Sequence, residues 1–272
     1  MNKFSVLMSV FRDDNPSHFF EALQSINKQT IQPDELVLVI DGEVSIKIKK
    51  VLDNYIKNVF FDVNILQLEK NIGLALALRA GLVRCRNNLV ARMDSDDISL
   101  EHRFEKQLLE FNKNPYLKVV GGNIIEFNDL NSDTSIRNVP LYSSDIVNSL
   151  PLRSPFNHVS VMYKKDFITQ IGSYKNFRGI EDLALWFDVV NSSQEIMNID
   201  DILVRVRVNP DFVFRRSGIA YAKQEARVYK YAWKKKYISY SKMVMIISIR
   251  IPIRLLPKRF ISLAYRFKRY FE

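Results

Sequence analysis

The stretch Leu89-Val90-Ala91-Arg92-Met93-Asp94-Ser95-Asp96-Asp97 decides how this chain is read. Residues 89–93 form a short and mostly apolar run, which predicts a strand buried on both faces. It stops abruptly at a group of acids. In open α/β sheets the strand ends carry the ligand chemistry, so acids placed there are candidates for binding. Working outward, Phe4–Val10, Glu35–Ile40 and Val63–Leu68 are runs of the same kind. Each also ends in polar residues: Ser9 to Asp14, Asp41-Gly42, and Glu69 to Asn71. Helical spacing fills the gaps at 19–29, 44–58 and 74–84. This alternation predicts βαβ units around a largely parallel sheet with helices on both faces. Four polar loops at one sheet edge predict a single crevice.

Beyond Asp97 the pattern is α+β and less regular. Helices are expected at 100–113, 144–150, 166–171 and 181–191. Strands are expected at 117–121, 124–127, 159–163 and 202–208, with a polar loop at 128–137. No Gly/Pro-rich linker intervenes, so 1–98 and 99–222 are expected to be two halves of one packed unit. Residues 223–272 form a distinct tail.

The 272 residues carry a formal charge of +10. That charge is not spread evenly. Residues 223–272 hold 14 Lys and Arg against two acids, while the first 222 hold 26 against 28. The tail also interleaves its cations with Met, Ile, Leu and aromatic residues, the pattern of a basic amphipathic helix lying in a membrane interface. Its alternative is a helical tail packed on the body with a solvated basic face. The apolar content disfavours nucleic acid as a partner. The single cysteine, Cys85, excludes an intrachain disulfide and a cysteine-built zinc site. Neither a signal peptide nor a membrane-spanning run is expected.

Asp94-Ser95-Asp96 offers hard oxygen ligands that suit Mn²⁺ or Mg²⁺ bridged to nucleotide phosphates. The bland alternative is a cap for the following helix, a role that Asp97 or Ser99 can fill. The chain has no G-x-G-x-x-G after its first strand and no phosphate-binding P-loop, which argues against a dehydrogenase or a P-loop NTPase. A parallel sheet with an acidic metal motif and no glycine-rich loop points to a nucleotide-sugar site. On residue chemistry alone, Asp41-Gly42 is a turn. Glu181-Asp182 is likewise an acidic helix start favoured by the dipole. Arg153, Asn157 and His158 share a loop and are candidates for the acceptor or phosphate side. Arg205 and Arg207 alternate onto one strand face, read as solvated.

Taken in order, six short segments resemble glycosyltransferase family 2 with its GT-A fold: Ser5–Phe11, Ser25–Thr30 (S-x-x-x-Q-T), Val39–Gly42 (V-x-D-G), Asn71–Leu74 (N-x-G-L), Asp94–Asp97 (D-x-D), and Gly179–Leu183 with Trp186 (E-D-x-x-L-W). The resemblance spans residues 4–210. It implies a UDP-sugar donor, with Asp41 on the uracil N–H, Ser9, Asp13, Asn71 and Arg92 lining the nucleotide-sugar pocket, and Asp94 on ribose or metal. It further implies Asp96 as metal ligand and Asp182 as the general base of an inverting transfer, Glu181 being next in line. Arg92–Ser99, Arg153–His158 and Ile249–Pro257 are similar to bacterial O-antigen and exopolysaccharide transferases. Those add galactose or glucose, β-1,3, to GlcNAc-diphosphoundecaprenol at the cytoplasmic face of the inner membrane. Two other readings remain at this point: a sugar nucleotidyltransferase, and a non-catalytic carbohydrate-binding protein at the membrane.

Overall fold

The computed structural model describes residues 3–128, 132–208 and 216–256. The first half follows the predicted alternation: β1 (Phe4–Val10), α1 (Pro16–Asn27), β2 (Glu35–Ile40), α2 (Ile46–Asn58), β3 (Asp62–Gln67), α3 (Leu74–Arg84) and β4 (Leu89–Asp94). Strand β1 pairs in parallel with both β2 and β4, and β3 extends the parallel set on β2. These strands are nearly all apolar because both faces are covered. On β1, Leu7 belongs to one core, while Val6 and Met8 belong to the other.

The second half adds β5 (Ile98–Ser99), α4 (Arg103–Lys113), β6 (Val119–Phe127), β7 (Asp133–Arg137), α5 (Ser143–Ser149), β8 (Met162–Lys164), α6 (Lys165–Gln170), α7 (Glu181–Ser192) and β9 (Ile196–Arg207). The described strands form one sheet in the order β3-β2-β1-β4-β8-β6-β9-β5, with β7 on β6. β8 runs antiparallel to β4 and β6, whereas β6 and β9 are parallel. The sheet is therefore mixed, with its parallel half at the β3 end.

Four expectations are corrected here. The runs at 117–121 and 124–127 are one strand, β6, whose register against β9 shifts beside Gly122 and Asn123. The polar stretch read as a loop contains β7, an edge strand. Residues 158–160 make a 3₁₀ turn, so the strand there starts only at Met162. Asp97 and Ser99 do not cap the next helix. Residues 98–99 pair with β9, and the helix begins at Arg103, flanked by His102.

Helices α1, α2 and α4 cover one face through Phe19, Leu23, Ile48, Phe104 and Leu108. Helices α3 and α7 cover the other through Leu78, Leu82, Ala184 and Trp186. Gly81 lets α3 lie close to the sheet: a Cβ there would come within 2.5 Å of both Leu7 and Val39. The tail forms a helical hairpin, α8 (Gly218–Lys234) and α9 (Tyr240–Leu255). Val228, Ala232, Met243 and Ile246 join the same core as Trp186. Between Glu225 and the hairpin's second helix, Arg250 and Arg254 donate to the buried carboxylate at 2.7 and 2.8 Å. The described part of the tail thus packs on the body. The last part of the tail, residues 257–272, and Arg215 lie outside the described residues. No described helix is long and apolar enough to cross a membrane.

Candidate active site

The parallel strands deliver their ends to one place. Ser9 on β1 sits beside Val39 on β2 and Asp94 on β4. The next residues on each strand are therefore neighbours. Asp41 ends β2, and its buried carboxylate accepts from the N–H groups of Ile72 and Gly73 at 2.7 and 2.9 Å. Asn71 donates from its side-chain amide to the Asp41 carbonyl at 3.3 Å. Asp41 thereby fixes the entry to α3, whose first residue follows Gly73. Gly42 has φ +86, and a Cβ on it would fall 2.6 Å from the Asn71 nitrogen. Only glycine fits both constraints.

Asp94 lies on the same strand face as Arg92, two residues earlier. The Arg92 guanidinium holds it with a two-pronged ion pair, one bond at 2.6 Å. Arg92 itself is buried; burial opposes its charge and Asp94 restores it. Asp94, Asp96 and Asp97 each offer a carboxylate oxygen within 4.8 Å of the others. The loop is clamped from β9: the Arg207 N–H donates to Asp97 at 2.8 Å, and its guanidinium donates to the Asp96 carbonyl at 3.2 Å. Arg205 and Arg207 both stack on Phe127, 4.6 and 4.5 Å from the ring centre. Their strand face is thus a packed brace for the acidic loop and not the solvated face expected.

A fourth acid joins the cluster from the loop after β1. Ser95 donates its hydroxyl to Asp14 at 2.7 Å, and the Phe11 N–H donates to the same oxygen at 3.0 Å. Burial pushes Asp14 up to about 7, aided by Asp96 and Asp94 and opposed by these two bonds. Asp13, the residue expected here, points outward and pairs with Arg12 at 3.3 Å. The carboxyl of Asp97 is raised well above the usual range, first by burial and then by Asp96 and Asp94. Three crowded carboxylates with hard oxygens are a donor set that a divalent cation satisfies and neutralises. Asp94, Asp96 and Asp97 are the residues that would hold it.

The opposing wall is the start of α7. Glu181 is buried, and Asp182 is half-buried with one oxygen accepting from the Leu183 N–H at 2.8 Å. Burial, then Asp182, push Glu181 up to about 7; the Arg92 charge opposes this. This makes a measurable prediction about stability. The unfolded chain releases that proton near 4.5 and the folded chain near 7, so the native state binds more protons in between. Stability therefore falls as pH rises from 4.5 to 7, by up to about 3 kcal/mol for this group. Urea midpoints measured at pH 5 and pH 7.5 should converge in Glu181→Gln relative to the unsubstituted chain. Equal convergence in both proteins would deny Glu181 this role.

The loop at 153–158 supports the wall from below. Asn157 is buried and donates its amide to the carbonyls of Gly122 and Arg137 at 2.9 and 3.3 Å. It staples β6 to the last residue of β7 and does not line the crevice. The Arg153 guanidinium donates to the Asn138 carbonyl. His158 bonds Tyr174 Oη through Nε2 at 2.9 Å and packs against Trp186. Burial and the Arg92 charge hold its imidazole well below its ordinary value, so it is neutral. His158, expected on the acceptor or phosphate side, is an uncharged strut between Tyr174 and Trp186. Three residues escaped the sequence reading: Asp14, Tyr174 and Arg178. The Arg178 Nε comes within 3.7 Å of a Cβ placed on Gly73, bringing the segment before α7 over the Asn71 loop. The adjacent acids in Arg12-Asp13-Asp14 gave a signal for the first but no means to choose between them.

Comparison with known proteins agrees with this geometry. The profile of "Glycosyl transferase family 2" matches residues 5–173. The chain is 36% identical over 262 residues to "Amylovoran biosynthesis glycosyltransferase AmsE" of Erwinia amylovora, covering 96% of this chain and 97% of that protein. It is 38% identical over 265 residues to the "UDP-Gal:alpha-D-GlcNAc-diphosphoundecaprenol beta-1,3-galactosyltransferase" of Escherichia coli, covering 97% and 95%. Among solved structures, the mannosyltransferase PcManGT of Pyrobaculum calidifontis, in complex with GDP-Man and Mn²⁺, superposes with a TM-score of 0.66 at 13% identity, over 93% of this chain and 72% of that one. That structure shares the fold. With an acidic loop at the end of β4, a carboxylate pair opposite it and a family match that covers both the β1 and β4 strand ends, this chain belongs to glycosyl transferase family 2.

Proposed function

We propose that the protein transfers galactose or glucose from a UDP-sugar to a lipid-linked GlcNAc diphosphate, with inversion, forming a β-1,3 linkage in the assembly of an O-antigen or exopolysaccharide repeat unit. The observation that carries this reading is the near full-length similarity to the E. coli galactosyltransferase of that description. Both substrates suit the cytoplasmic face of a bacterial inner membrane, and we assign the reaction to that side.

Each residue then has a chemical task. Asp41 spends two of its roughly four acceptor positions on Ile72 and Gly73 and keeps the others for the uracil N–H. Ser9 and Asn71 border the same pocket. Arg92 fixes the direction of Asp94 through its two-pronged bond. A divalent cation, Mn²⁺ or Mg²⁺, held by the acidic loop would neutralise charge growing on the diphosphate leaving group. Asp182 takes the proton from the acceptor hydroxyl as its oxygen bonds to the sugar C1. The C1–O bond to UDP breaks, and UDP leaves with the electron pair. A base on the face opposite the leaving group inverts the anomeric centre.

A radiolabel transfer assay tests this directly. UDP-Gal and UDP-Glc are each offered with a GlcNAc-diphospholipid acceptor, with and without chelator. One donor should label the lipid, chelation should abolish labelling, and added Mn²⁺ or Mg²⁺ should restore it. Labelling unaffected by chelation would remove the metal from the reaction. No labelling with either donor would redirect the search to another sugar nucleotide.

A further inference from the structure

Helix α9 is apolar on both its inward and its outward face. Its inward face seats Met243 and Ile246 in the core and, further along, two cations: Arg250 and Arg254 both point at buried Glu225, and Arg254 stacks 4.9 Å from the Tyr221 ring. Its outward face carries aliphatics. Met245, Ile249, Ile253 and Leu256 recur at helical spacing and are 48%, 56%, 37% and 40% exposed. A solvent-facing helix ordinarily keeps its outward face polar. At the hairpin bend, Trp233 and Tyr240 pack edge to face at 5.5 Å, and both remain exposed. Lys234, Lys235, Lys236 and Lys242 surround them, all exposed. No Asp or Glu occurs between Glu225 and Glu272.

We propose that the outward face of α9, with its lysine rim, is a docking surface for an anionic lipid bilayer, on which the helix lies in the interface plane. Three features select lipid over a second protein. The apolar stripe is continuous along the helix, the surrounding charge is all of one sign, and the aromatic pair sits where the stripe meets the lysines. Interfacial helices join an apolar face to basic flanks in this way, and aromatic rings favour the headgroup level. Each lysine near an anionic surface contributes about 1 kcal/mol. The placement also serves the site. Tyr221, beneath Arg254, is the side chain that a Cβ on Gly179 would meet, at 4.0 Å, and Gly179 directly precedes the Ile180–Asp182 corner. The end of α9 therefore lies next to the catalytic wall. The docking surface stands on its own observations, whatever sugar or acceptor the enzyme uses.

The test uses the full chain with Ile249→Cys carrying a polarity-sensitive fluorophore; the native Cys85 is buried and stays unlabelled. Vesicles of phosphatidylcholine with phosphatidylglycerol should shift the emission to the blue, and pure phosphatidylcholine should do so far less. The pair Met245→Glu with Ile249→Glu should weaken vesicle co-sedimentation by about tenfold or more. The set Lys234→Gln, Lys235→Gln and Lys242→Gln should erase the preference for the anionic lipid. Each of three results would overturn the proposal. The first is emission unmoved by anionic vesicles. The second is emission already blue in dilute, lipid-free protein, meaning that residues 257–272 cover the face. The third is a lipid-free blue shift that grows with protein concentration, meaning that a second copy covers it. None of these readouts depends on transfer activity, so they stay separate from the fate of the proposed reaction.

Discussion

Asp182→Asn is expected to lower kcat by about 10²–10⁴-fold while leaving KM for the donor nearly unchanged, the usual weight of a positioned base. The substitution is well chosen because it costs the fold little. The Asn oxygen can still accept from the Leu183 N–H, as Asp182 does at 2.8 Å. What it loses is the ability to accept a proton. Glu181 is poorly suited to replace it. It is buried, and it keeps its own proton up to about pH 7 because burial and Asp182 both oppose its charge. Asp182→Glu keeps a carboxylate but displaces it by a methylene, so it should recover part of the lost rate. Steady-state kinetics on the three proteins distinguish the roles. Undiminished turnover in Asp182→Asn would transfer the base to Glu181, and Glu181→Gln would then carry the large loss.

Glu225→Ala should destabilise the protein by about 3–5 kcal/mol, because it strands buried charge without a partner. Glu225 is fully buried and receives Arg250 and Arg254 together. Burial works to raise its carboxyl, but the Arg254 bond and the two cationic charges outweigh that and hold it below the usual range. Its contribution to stability is complete above the unfolded-state value near 4.5 and is lost as pH falls through the lower folded value. Urea unfolding at neutral pH measures the loss. Changing Glu225 and Arg254 together to Met should recover much of it, since a packed apolar pair can replace a buried ion pair. An unchanged midpoint in Glu225→Ala would mean that the hairpin contributes nothing to the folded body.

Much of this was legible from residue order. The first four strands announce themselves because each is an apolar run closed by polar residues, and their ends had to meet once the sheet was parallel. The acidic loop was legible for the same reason, whereas Glu181-Asp182, on its chemistry an ordinary acidic helix start, stood out only through the family resemblance. What was missed follows physical rules that a linear reading does not weigh. Gly121-Gly122 resembles a turn, yet it permits close packing: a Cβ on Gly121 would meet Asn198 at 2.3 Å, and one on Gly122 would meet Leu203 at 2.6 Å. Polar β7 is an edge strand and needs no apolar alternation. The choice between Asp13 and Asp14 depends on where Ser95 arrives from another strand, a contact 81 residues away. Asn157 and His158 carry the polarity of ligands but serve as internal supports, which only their burial discloses.

Asp188 gives the tail a further meaning. Its buried carboxylate, on α7, accepts from Tyr231 at 2.6 Å and Tyr237 at 3.1 Å and pairs with Lys175. Those tyrosines belong to α8 and to the bend that leads into α9. The same α7 begins, about 9 Å away along its axis, with Glu181 and Asp182. A stiff rod is thus gripped in its second half by the hairpin and bears the proposed proton acceptor at its start. Whatever seats α9 therefore bears, through Tyr231 and Tyr237, on the helix that carries Asp182. The appendage works less like a leash than like the handle of the tool.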